Sequence, residues 1–138
     1  MDGLTLEVLS FDGQILKEDS VEMVNIDTTM GPINILKDHA PLMTALDIGV
    51  LSYIKKGKEE AFIALGMNGF AEVFDDHVSV IVNTAEKQED IDLVRARRAK
   101  ERSEAALKSG AGLEADLKAE IALKRAVTRI SCKEGRCR

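Results

Sequence analysis

The chain has 138 residues and a mass of 15.1 kDa, which suits one compact domain with a small appendage. Hydrophobic residues make up 45% and charged residues 31%, a balance expected of a chain that folds in water. No apolar run approaches the roughly 20 residues needed to span a bilayer, which excludes a transmembrane helix. The net charge of −5 is unevenly spread: residues 1–84 carry 14 acids and 5 bases, whereas 85–138 carry 10 acids and 14 bases, so two surfaces of opposite sign are expected to meet different neighbours.

The opening "MDGLTLEVLS" has no basic lead and no long apolar core, so no signal peptide is expected. It contains the first expected strand, "LTLEV", with Leu4, Leu6 and Val8 on one face. "FDGQIL" places Asp12-Gly13 at a hairpin turn. In "VEMVNID", Val21 and Met23 share one parity and Val24 and Ile26 the other, the one-residue switch that a β-bulge produces. "KDHAPL" puts Asp38 beside His39, but neighbours on an extended chain point to opposite faces and no nucleophile stands nearby. A turn or partner contact formed by His39, Ala40, Pro41 and Leu42 is expected there instead. Two strands follow around Lys56-Gly57-Lys58, then a tight turn in "GMNGF", then a hairpin of "FAEVF" and "HVSVIV" around Asp75-Asp76. Short strands at this spacing predict an antiparallel β-sandwich or barrel over 1–85.

From Ile91 the period becomes helical, with Ile91, Val94, Arg95, Arg98 and Arg102 on one side. "KSGAG" breaks the pattern, and a second helix is expected from about Leu113 to Ile130, with a stripe through Leu113, Leu117, Ile121 and Lys124. Both helices are alanine-rich, so residues 86–131 are expected to form a lightly held αα-hairpin that can detach and rearrange. The arginines of 95–102 suit phosphates, carboxylates or plain solvent. Nucleic acid is not expected, because the chain is acidic overall and its helical part has no Phe, Tyr or Trp. Cys132 and Cys137 lie in an expected tail, 132–138, with His39 and His77 remote from it in sequence. No metal site is expected, and the thiols are expected to be inert, the alternative being a reversible tail disulfide.

The stretches "EVLSFDG", "VEMV", "GPINILKDHAPLMTALDIGVL", "FIALGMNGFAEV", "HVSVIVNTAE", "EDIDLVRARRAKER" and "ALKRAVTRI", in this order, resemble the ε subunit of bacterial F-type ATP synthases. The chain departs from that family at "GPIN" (31–34), at Lys37-Asp38 and at Met67-Asn68-Gly69-Phe70, all in expected turns. The resemblance implies an N-terminal β-sandwich that docks on the γ subunit and the c-ring. It also implies a C-terminal hairpin that either folds on the sandwich or extends along γ into the α/β catalytic head and blocks hydrolysis. Such a subunit is a non-catalytic part of the rotor, present once per complex. It lies at the cytoplasmic face of the bacterial cell membrane and reaches the membrane only through partner subunits. No cofactor is required, but some relatives bind regulatory ATP through a motif matched by Ile91-Asp92-Leu93-Val94-Arg95-Ala96, with assisting positions at Glu86, Arg102, Arg125 and Arg129. The alternative functions are a free-standing nucleotide-binding module, which would not co-purify with a membrane complex, and a small hydrolase, which would lose activity in His39→Ala.

Overall fold

A computed structural model describes residues 3–135. Nine strands are followed by two helices: β1 (Leu4–Ser10), β2 (Gly13–Thr28), β3 (Gly31–Leu36), β4 (Leu42–Ala45), β5 (Gly49–Lys55), β6 (Ala61–Leu65), β7 (Phe70–Phe74), β8 (His77–Ile81), β9 (Ala85–Lys87), α1 (Leu93–Ser109) and α2 (Leu113–Lys133). The strands run β4-β7-β8-β1-β2-β5-β6-β9, with β3 beside β2. Every ladder is antiparallel except β1–β8, which is parallel.

The 16-residue β2 joins the two layers. Its first half pairs with β1 and its second half with β3 and β5. Between the two, Ser20 adopts φ 58° and the register slips between Val21 and Met23. This is the expected bulge, and it lets Val21 and Val24, of opposite parity, both be fully buried. The core between the layers gathers Leu4, Leu6 and Val8 of β1 with Ile26, Ile35, Leu51, Ile63, Val73, Val78 and Val80. Asp75 and Asp76 both have positive φ, as a two-residue hairpin turn requires.

The expected elements are present, with two shifted boundaries. Ile91 precedes the first helix instead of opening it, because Asp92 is the N-cap, its side chain accepting from the Arg95 N–H at 3.1 Å. The second helix runs past Ile130 to Lys133, so Cys132 is helical and fully buried. Cys137 lies outside the described residues. Gly110, at φ 62°, caps α1 in the left-handed conformation that glycine adopts without strain.

Both faces of β5 are covered, one by the sandwich core and one by α2. The main core contains no helix residue. A chain ending at Lys87, which keeps β9, is therefore expected to retain a cooperative thermal transition by circular dichroism. Loss of that transition would show that the hairpin belongs to the cooperative core.

Candidate functional site

The helices meet the sandwich on the outer face of β5 and β6. There Val50, Ala64, Ile91 and Cys132 form a second apolar cluster edged by Phe62. Polar clasps surround it. Gln88 Nε2 donates to the carbonyls of Cys132 (3.0 Å) and Lys133 (3.3 Å), while Lys133 Nζ donates to the Gln88 carbonyl at 3.1 Å. The bond to the Lys133 carbonyl serves one of the groups that a helix C-terminus leaves without an intrahelical partner. Arg129 grips Glu86 with two nitrogens, Nε 2.7 Å from Oε1 and Nη2 3.1 Å from Oε2. Lys124 reaches Asp47 at 2.6 Å across the other side of α2. Partly exposed ion pairs contribute only about 0–1 kcal/mol each, so the hairpin is latched lightly.

Small side chains set the distance between the two helices. Ala96 and Ser103 are the buried residues of α1, facing Ala119 and Ala126 of α2. The stripe picked out by spacing is not the buried one: Leu113 is 77% and Leu117 51% exposed. Close helix approach needs alanine at the contact, which leaves the leucines facing outward.

A groove of about 190 Å³ opens along this seam, lined by Ala99, Ala122, Ala126, Arg125 and Arg129. Arg95 lies one turn before Ala99 on α1 and Arg102 one turn after it, on the same helix face. A smaller cavity of about 20 Å³ brings Glu86, Arg125 and Arg129 together beside Gly66, Thr84 and Thr128. The structure thus gathers Glu86, Arg125 and Arg129, whereas Arg95 and Arg102 line neither cavity. Three motif residues have structural roles elsewhere: Ile91 anchors the hairpin, Asp92 caps α1, and Ala96 is a helix contact. The cationic side chains of Arg95, Arg102 and Arg125 are exposed, as recognition of a polyanion requires.

Asp38 sits in a left-handed turn at φ 65°, its N–H donating to Asp76 Oδ1 at 2.7 Å. His39 Nδ1 donates to the Ala40 carbonyl at 2.7 Å. The pair therefore lacks the base-and-orienter geometry of a catalytic dyad. Pro41 and Leu42 adjoin Met43, Glu72 and Phe74 in a shallow groove. Sequence reasoning missed the surface this belongs to: Met43 and Phe74 are more than 60% exposed, with Phe70 and Ile81 on the same outer sheet face. A partial signal was present, because "FAEVF" puts Phe70 and Phe74 on the parity opposite to the buried Ala71 and Val73, with Glu72 between them. Gln88, Lys133 and Asp47 were also missed, since single polar residues at element junctions form no pattern. Near the hairpin root, the Tyr53 hydroxyl is held above its usual pKa, first by burial, then by the charges of Glu18 and Glu89.

Residues 3–88 match the family described as the ATP synthase delta/epsilon chain beta-sandwich domain, and residues 89–134 match its long alpha-helix domain. The chain is 44% identical over 127 residues to the ATP synthase epsilon chain of Desulfitobacterium hafniense, covering 92% of this chain and 93% of that one. It is 42% identical over 131 residues to the epsilon chain of Shouchella clausii, covering 94% of each. Among solved structures it resembles a chain of the Euglena gracilis mitochondrial ATP synthase OSCP/F1/c-ring assembly, with TM-score 0.81, 26% identity, and coverage of 93% of this chain and 79% of that one. Both domains match in order, and the relatives align over more than nine-tenths of the chain, so this chain belongs to the ATP synthase epsilon chain family.

Proposed function

We propose that the chain is the central-stalk rotor subunit of a bacterial F-type ATP synthase, non-catalytic and present once per complex. Its sandwich docks on the γ subunit and the c-ring at the cytoplasmic face of the membrane, and its hairpin restrains ATP hydrolysis by extending into the α/β head. The observation that carries this reading is the seating of the hairpin. It is joined to a self-contained sandwich through a small cluster, alanine contacts and partly exposed ion pairs, so it can leave without exposing the main core. Leu113, Leu117 and Ile121 already face outward on α2, where a partner can bury them once the helix extends. The exposed apolar side chains of Met43, Phe70, Phe74 and Ile81 share one outer sheet face, where a partner could bury them. No helix among the described residues is long and apolar enough to cross a membrane, which agrees with attachment through other subunits.

The test is deletion of residues 88–138 in the reconstituted complex. Assembly with γ and the c-ring should survive, and ATPase activity at low ATP should rise severalfold. If about four-fifths of complexes are held in the blocked state, removing the block raises the rate about fivefold by population arithmetic. An unchanged rate would remove the inhibitory role.

The same reading includes regulatory ATP. The seam groove offers a floor of small side chains with Arg125 and Arg129 of α2 in its lining, and Arg95 and Arg102 stand one turn to either side of Ala99, its α1 lining residue. Arg129 is positioned by Glu86, leaving Arg95, Arg102 and Arg125 to meet the phosphates. Only the folded hairpin presents both helices together, so ATP bound there favours the folded over the extended state.

A further inference from the structure

We propose that Asn68 is a site of spontaneous covalent modification, where attack by the Gly69 backbone nitrogen on the side-chain amide turns the asparagine into aspartate and isoaspartate. Asn68-Gly69 is the chain's one Asn-Gly pair, and it lies in the turn between β6 and β7. Asn68 is exposed and sits at φ 56°, a left-handed conformation that asparagine tolerates. Among the described residues its carboxamide has no hydrogen-bond partner, and the Gly69 N–H donates to no acceptor. Neither reacting group therefore has a bond to give up.

The step balances with water as the sole co-reactant. The Gly69 nitrogen loses its proton and bonds to Asn68 Cγ, the Cγ–Nδ2 bond breaks, and ammonia leaves with that proton. Water opens the resulting five-membered succinimide on either side. Cleavage of the new N–Cγ bond gives aspartate. Cleavage of the original peptide bond gives isoaspartate, whose main chain runs through one extra methylene. Because the reacting groups belong to adjacent residues the attack is intramolecular, and access to the backbone nitrogen sets its rate. Glycine has no side chain to shield that nitrogen. Asn34 is followed by Ile35 and Asn83 by Thr84, whose β-branched side chains crowd it. Asn25 precedes Ile26 in β2, and its Nδ2 donates to Ser52 Oγ at 3.1 Å.

Isoaspartate at this position acts on β4. Gly69 is buried, and a side-chain carbon there would lie 2.7 Å from Val82 Cγ1 and 3.3 Å from Leu46 Cβ, so the main chain is pressed against the core and cannot absorb a methylene in place. The Gly69 carbonyl accepts from the Leu46 N–H at 2.8 Å, and the adjoining pair is Phe70 with Ala45. β4 is an edge strand laddered to β7, so displacing the start of β7 loosens it.

Peptide mass mapping of the folded full chain, aged in mildly alkaline buffer, tests the site. Asn68 is expected to convert at least about tenfold faster than Asn34 or Asn83, a barrier difference of about 1.4 kcal/mol, with ammonia released in step. The Asp-Gly pairs of the chain can also rearrange to isoaspartate, but they release no ammonia. Asn68→Gly, which suits the positive φ, should fold and abolish the release. Equal rates at the three asparagines, or conversion of Asn68 only after unfolding in urea, would overturn the proposal. Amide exchange reads the consequence: β4 amides should exchange severalfold faster in chains carrying isoaspartate at 68. Asn68→Asp, which adds the charge without the methylene, should leave them as in wild type. Unchanged β4 exchange in the aged chain, or an equal rise in Asn68→Asp, would overturn the link to β4.

Discussion

Replacing Arg95 by alanine is expected to weaken ATP binding to the isolated chain by about ten- to a hundredfold. The estimate follows from loss of one charge-assisted hydrogen bond, roughly 1.5–3 kcal/mol, at ~1.4 kcal/mol per decade of affinity. The substitution is structurally clean. The Arg95 side chain is exposed, and the group that Asp92 caps is the backbone N–H of residue 95, which alanine keeps. Asp92→Ala would be a poor substitute, since removing the N-cap costs about 0.5–2 kcal/mol of helix stability and would confuse folding with binding. Lys108→Ala, in the last turn of α1 and away from the groove, is the control and should change affinity little. Calorimetry of ATP into the three proteins decides the matter. If wild type takes up no heat at millimolar ATP, the arginines serve the catalytic head alone. If Arg95→Ala binds as wild type does, ATP sits elsewhere on the chain.

Most strands were legible because one face is buried, so the alternation of Leu4, Leu6 and Val8 or of Val78 and Val80 reports the core directly. The bulge was legible for the same reason: it preserves burial across a change of parity. The parallel β1–β8 pair was not legible, since parity says which face is buried and not which strand lies alongside. The helices and their alanine-rich contacts were legible, but the apolar stripe of α2 is not its buried face. Hydrophobic periodicity points to Leu113, Leu117 and Ile121, whereas packing selects Ala119, Ala126 and Cys132. If the hairpin extends onto partners as proposed, that stripe would be the face they bury. The "IDLVRA" run was visible as a motif, but its division of labour was not: an anchor, a cap and a helix contact are tertiary roles that one-dimensional spacing does not separate from ligand binding.

The sandwich and the hairpin should also differ sharply in what a single substitution does to the whole molecule. Leu6 is fully buried on β1, which lies between β2 and β8 at the centre of the sheet. Leu6→Ala removes buried methyl groups and leaves a cavity that the rigid surrounding strands cannot close, at a cost of about 2–5 kcal/mol. For a sandwich of this size the melting temperature should fall on the order of 10–25 °C. Ala126 is almost as buried, at 2% exposure, but it lies between the helices. Ala126→Leu overpacks that seam by about 1–3 kcal/mol, and the helices can relieve the strain by moving apart without disturbing the sandwich core. Amide exchange in α1 and α2 should accelerate severalfold while the strand amides and the main melting transition stay close to wild type. Circular dichroism melts and amide exchange on the two variants make the comparison. If Ala126→Leu lowers the main transition as far as Leu6→Ala does, sandwich and hairpin unfold as one unit, and the light latch of Glu86, Gln88 and Asp47 is not what governs release of the helices.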